Sequence, residues 1–149
     1  YQLGDNRDFP LPSDFLEAAK EGKWEVLSLY LYDHGGITIS ATPFSCSWDS
    51  GLVGYIYITP ETGRKEFGAR WREKARKCME AEVKTYDQFL RGDVYGYRTF
   101  HLVICGMCKH TEKEELDSCW GFYGKDEALD QARIAIEHEL KRLLEKKGE

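Results

Sequence analysis

Between Trp24 and Tyr32 apolar and polar positions alternate through a run of strand formers, W-E-V-L-S-L-Y-L-Y. Asp33-His34-Gly35-Gly36 supplies a turn, and Ile37–Ser40 returns as the second strand of a hairpin. Leu52–Thr59 (L-V-G-Y-I-Y-I-T) predicts a third strand, with Gly54 marking a bulge or a close backbone approach. Elsewhere the period is helical. Ser13 is placed to cap a short helix over 14–20, with Gly22 just past its end, and Pro60 can open another helical turn. From about Ala69 to Leu90, the residues Trp71, Ala75, Met79, Val83, Tyr86 and Leu90 recur three or four apart, which predicts one apolar helix face. Arg91-Gly92-Asp93 ends that helix. Val94–Cys105 reads as a long strand, with Ser118–Tyr123 as its hairpin partner across a charged connection. A last helix follows Gly124-Lys125-Asp126, its predicted buried face made of Leu129, Ala132, Ile136, Leu140 and Leu143. At the other end, Tyr1–Gly4 looks like the tail of a strand, followed by a loop over 5–12.

The resulting order is β-α-β-β-β-α-β-β-α. Hairpins dominate the strand connections, so the predicted class is α+β, a mainly antiparallel sheet with helices packed on one face. At 149 residues the chain has the length of one domain, and a single domain over 1–149 is expected. The chain opens at Tyr1 rather than Met, so a truncated N-terminus is expected as well. An aromatic content of 13% excludes an intrinsically disordered chain. No run approaches the ~18 apolar residues of a membrane span, so no membrane partner is expected. Five cysteines cannot pair fully within one chain, and with no export signal in view the expected location is the cytoplasm, of a host cell if the protein is viral.

Three long motifs carry a resemblance. They are Ile37–Tyr57 (containing T-P-F-S-C-S-W-D-S-G-L-V-G), Tyr86–Tyr97 (Y-D-Q-F-L-R-G-D-V-Y-G-Y) and Asp117–Gly124 (D-S-C-W-G-F-Y-G). In these the chain resembles a family of small proteins encoded by bacteriophages and prophages, over roughly residues 1–135. The resemblance implies a phage or mobile-element accessory protein, a kind that often acts around host defences. It implies no catalytic residue.

Candidate chemistry falls in three places. The loop Thr42–Gly51 packs Phe44, Ser45, Cys46, Ser47, Trp48, Asp49 and Ser50 between two strands. As a binding loop, its aromatics would stack on a base or ring while the serines take polar contacts. As a self-packed turn, its aromatics would plug the core and Asp49 and Ser50 would bond to local backbone. Cys46, His34 and Asp49 are the one set with hydrolytic chemistry, and the spacing alone does not unite them. Next, Cys105, Cys108, His110 and Cys119 contain a C-x-x-C pair and two further donors, a set that would suit a structural zinc if all four met; otherwise they are unligated thiols or a redox pair.

Charge supplies the third place. The formal net charge is −5, yet residues 64–77 alone sum to +5. Arg64, Lys65, Arg70, Arg72 and Arg76, with Trp71 among them, would suit a phosphate, a nucleotide or a nucleic-acid strand. A solvated helix face paired with acidic neighbours is the commoner fate of such a run. The favoured expectation is therefore a non-enzymatic module binding an anionic small molecule or nucleic acid through Phe44–Gly51 and Arg64–Lys77. The alternative is an inhibitor that docks on a host defence protein. No phosphate-binding loop, nucleophile elbow, zinc-protease helix or dinucleotide fingerprint is present.

Overall fold

A computed structural model describes residues 12–146. The strand expected at Tyr1–Gly4 and the loop over 5–11 lie outside the described residues. The chain divides into two compact units, Tyr1–Asp87 and Gln88–Glu149, each taken by itself below.

The first unit contains α1 (Pro12–Glu21), β1 (Glu25–Asp33), β2 (Ile37–Ser40), β3 (Ser50–Ile58), α2 (Pro60–Phe67) and all but the last turn of α3 (Trp71–Leu90). Its sheet has the order β2-β1-β3 and is antiparallel throughout, as the hairpin reading predicts. The register slips where Leu29 pairs with Gly54 and Tyr30 with Leu52, leaving Val53 unpaired. Gly54 thus stands beside the bulge that its presence in the strand foretold. The core is Phe15, Ala19, Leu27, Leu31 and Ile39 with the α3 stripe Trp71, Ala75, Met79 and Val83. Tyr55 and Tyr57, two apart and so on one face of β3, stack against Phe15 and Trp24, with centroid separations of 5.0 Å for Phe15–Tyr55 and 4.9 Å for Trp24–Tyr57.

Two helix starts differ from the sequence reading. Pro12 rather than the residue after Ser13 opens α1, because a proline needs no intrahelical partner for its missing N–H. The Ser13 hydroxyl donates sideways to Asp14 Oδ1 (3.3 Å) instead of capping. The turn at Pro60 grows into a full helix, α2: Thr59 Oγ1 accepts from the Thr62 N–H (3.3 Å), and Gly68 closes the other end at φ 75°. That positive φ is open to glycine without strain. Trp71, first residue of α3, lies so close to Gly63 that a β-carbon there would stand 2.1 Å from an indole carbon.

The second unit holds the end of α3, β4 (Val94–Ile104), β5 (Thr111–Tyr123) and α4 (Lys125–Lys146). β4 and β5 form a two-stranded antiparallel ribbon with bulges at Tyr95/Gly96 and Thr99/Phe100. The charged connection expected between the strands is itself strand from Thr111 onward. Cross-strand pairs explain why: Arg98 binds Glu115, and the Lys113 ammonium lies 6.0 Å from the Phe100 ring centroid. The predicted face of α4 is also corrected. Ala128 is the buried residue of the helix, Ala132 and Leu143 of the predicted face are half-buried, and Leu129, Ile136 and Leu140 are exposed.

Candidate functional site

β2 and β3 are joined by residues 41–49, and the loop they form is closed on itself. The Ser40 hydroxyl accepts from the Thr42 N–H (3.0 Å), a side-chain turn of the kind serine forms. The Asp33 N–H donates to the Asp49 carbonyl (2.9 Å), and the Ser50 hydroxyl donates to the Cys46 carbonyl. Asp49 is the hub. Its Oδ2 lies 3.2 Å from His34 Nδ1 and accepts from the Cys46 thiol at 3.7 Å. Residues 34, 46 and 49 therefore meet, although their spacing gave no sign of it. The order along the chain of contacts is thiol–carboxylate–imidazole. A nucleophilic cysteine needs the imidazole next to the sulfur to take its proton. Here the carboxylate stands between them, and what the trio does is tie the loop to the β1–β2 turn.

The aromatics of the loop separate. Phe44 is half-buried, its ring 5.5 Å from that of Tyr32, so it serves as a plug. Trp48 points the other way and is 95% exposed. Ser45 and Ser47 are exposed beside it. One edge of this platform is held from a distance. Asp87, on α3, accepts from the Ile39 N–H (3.0 Å) and from the Thr38 hydroxyl, occupying the outer edge of β2 just before the loop begins. Nothing in the sequence pattern distinguishes Asp87 from other polar residues of the helix.

The basic segment is distributed differently from its sequence. Arg72 donates to the Lys23 carbonyl (2.5 Å) and lies over the Trp71 ring at 4.8 Å. Arg76 pairs with the mostly buried Glu25 (2.5 Å). These two cations are engaged in holding α3 to the start of β1. Arg64, Lys65 and Arg70 are exposed and have no ion pair among the described residues. Arg64 lines an open cleft of about 700 Å³ together with Gly22, Trp24, Thr59, Pro60 and Glu61.

Loop and basic segment do not share a pocket. The basic end of α3 is anchored at Lys23 and Glu25, whereas the loop is anchored at Asp33. Eight residues of extended chain separate Glu25 from Asp33, roughly 26 Å at the rise of a strand. The loop and the basic segment, expected to serve one ligand, thus stand at opposite ends of β1.

The proposed Cys3His set is also divided. Cys119 pairs with Tyr97, seven residues along β4 from Ile104, which is roughly 23 Å from the ribbon tip. No group of three metal-ligating side chains converges among the described residues. Cys105 and Cys108 do meet, in the turn at the tip. The backbone N–H groups of Cys108 and Met107, and then the Cys108 thiol, donate toward the Cys105 sulfur and hold its pKa below the ordinary thiol range. In Cys78 the reverse holds: burial first, then Glu82 nearby, pushes the thiol up. No helix among the described residues is long and apolar enough to cross a membrane.

No family model, curated protein or solved structure matches the chain. The candidate sites therefore rest on their own geometry.

Proposed function

We propose that the chain is a non-enzymatic protein-interaction module, an accessory protein of phage type that docks on a host protein through the Thr42–Gly51 loop. The observation that carries this reading is Trp48. An indole left 95% in water on a loop closed by Asp49, Ser50 and Ser40 contributes nothing to the fold it stands on. Tryptophan on a preorganised loop is the side chain that most often anchors a protein interface, because it buries a large rigid surface at little entropic cost. The exposed apolar flank of α4 and the exposed Leu102 and Ile104 of β4 give further surface of the same kind. A host defence protein is the class of partner that the phage-like motifs suggest.

The test uses a partner captured from host lysate and then purified. Calorimetry should give a stoichiometric complex that Trp48→Ala weakens at least tenfold, the ~1.4 kcal/mol or more expected of an interfacial anchor. A complex indifferent to Trp48→Ala refutes the reading.

A second reading keeps the anionic ligand. The Trp24–Arg64 cleft offers an aromatic wall and a guanidinium with no ion pair among the described residues, the pairing that suits a nucleotide. Binding from a panel of mono-, di- and cyclic nucleotides should fall with added salt and with Arg64→Glu. Arg72 is the poorer probe, since its guanidinium already serves Lys23 and Trp71.

A further inference from the structure

Of the five cysteines, three have a thiol that donates to oxygen: Cys46 to Asp49 (3.7 Å), Cys78 to Glu82 (3.7 Å) and Cys119 to the Trp120 carbonyl (3.9 Å). Cys105 is arranged in the opposite sense, with its sulfur receiving donors, and it stands beside a second cysteine. We propose that Cys105 and Cys108 are a dithiol–disulfide couple at the tip of the β4–β5 ribbon, which exchanges with low-molecular-weight disulfides such as oxidised glutathione.

The turn supplies the geometry. The Cys105 N–H donates to the His110 carbonyl (2.9 Å) and the Lys109 N–H donates back to the Cys105 carbonyl (3.1 Å), so the chain reverses between 105 and 110. Lys109 takes a left-handed conformation, φ 61°, to close it. Residues three apart in such a reversal have Cα atoms within about 7 Å, the span a disulfide crosses. Cys108 is the neighbour whose N–H and thiol act on the Cys105 sulfur. Both residues are exposed, with Met107 between them almost wholly in water, so a small disulfide meets no steric barrier. The N–H groups that hold Cys105 toward its thiolate make it the attacking sulfur.

The reaction balances in two exchanges. The Cys105 thiolate attacks one sulfur of the glutathione disulfide, forming a mixed disulfide and releasing a glutathione thiolate. Cys108 then loses its proton to solvent and attacks the Cys105 sulfur. The Cys105–Cys108 bond forms, and the second glutathione leaves as thiolate. One disulfide is reduced and one dithiol oxidised.

The full chain is equilibrated with mixtures of reduced and oxidised glutathione, quenched in acid and read by intact mass and peptide mapping. The expected result is loss of two hydrogens mapped to residues 105–108, reversed by excess reduced glutathione. Cys108→Ser should accumulate a glutathione adduct on Cys105, and Cys105→Ser should lose both products. At neutral pH, iodoacetamide should modify Cys105 faster than Cys78, whose thiol burial pushes up. Equal alkylation of all five thiols with no 105–108 disulfide overturns the proposal. So does isolation of the chain with zinc that shields both thiols from alkylation, which would make the turn half of a metal site instead.

Discussion

Replacing Asp87 with alanine removes an acceptor that α3 offers to the outer edge of β2. Two donors converge on Oδ1, the Ile39 N–H at 3.0 Å and the Thr38 hydroxyl, both in part-buried surroundings. A hydrogen bond to a charged acceptor contributes about 1.5–3 kcal/mol, and the Ile39 amide left behind is poorly placed to recover a water. We therefore expect Asp87→Ala to cost the first unit about 2–3 kcal/mol. Asp87→Asn, which retains a carbonyl acceptor without the charge, should lose about half as much. For a unit of this size each kcal/mol lowers Tm by about 4–8 °C, so the alanine variant should melt about 10 °C or more below the parent. Urea titration followed by tryptophan fluorescence gives the global value. Hydrogen exchange at the Ile39 amide gives the local one, and protection there should fall first. A loss under 0.5 kcal/mol with the Ile39 amide still protected would refute the account of how the edge is held.

Three further expectations follow from single contacts. Gly63→Ala presses a methyl group against the Trp71 ring and should destabilise the α2–α3 corner by about 1–3 kcal/mol, measured by chemical denaturation, with Gly35→Ala as the comparison for backbone strain in open space. Trp48→Ala should leave stability within about 0.5 kcal/mol of the parent by the same method, since the indole touches almost nothing. Tyr97 donates its phenol proton to Asp117 (2.7 Å), which favours the neutral phenol and pushes its pKa up to about 12. Ultraviolet titration should show it still protonated where an ordinary tyrosine has ionised, and Asp117→Asn should bring it down.

The strands of the first unit were legible as runs of strand-forming residues bounded by turn residues, and Gly54 marked its bulge by being the wrong residue for a regular ladder. The α3 stripe was legible because its apolar residues recur three or four apart. Residues 111–117 were not. Glu112, Lys113, Glu114 and Glu115 have little strand propensity of their own, and their conformation comes from partners on β4, with Arg98 foremost. α4 misled because its leucines and isoleucine mark an apolar arc, yet Leu129, Ile136 and Leu140 are exposed and Ala128 is the buried residue. At the candidate sites, charge counting located Arg72 and Arg76 and could not show that the Lys23 carbonyl and Glu25 already engage them. The junction of His34, Cys46 and Asp49 is a property of loop closure, and a linear pattern contains no trace of it.

The four tryptophans fall in four different surroundings: Trp24 stacked on Tyr57, Trp48 in solvent, Trp71 sealed against Gly63 and Trp120 70% exposed over Gly96. In optical terms the chain carries built-in reporters. Trp48 should emit at long wavelength and be quenched freely by iodide, while Trp71 should emit to the blue and resist it. Trp120, also largely exposed, shares the red component, so a red change on adding a partner that is absent in Trp48→Phe would locate the contact at the β2–β3 loop, with no label attached.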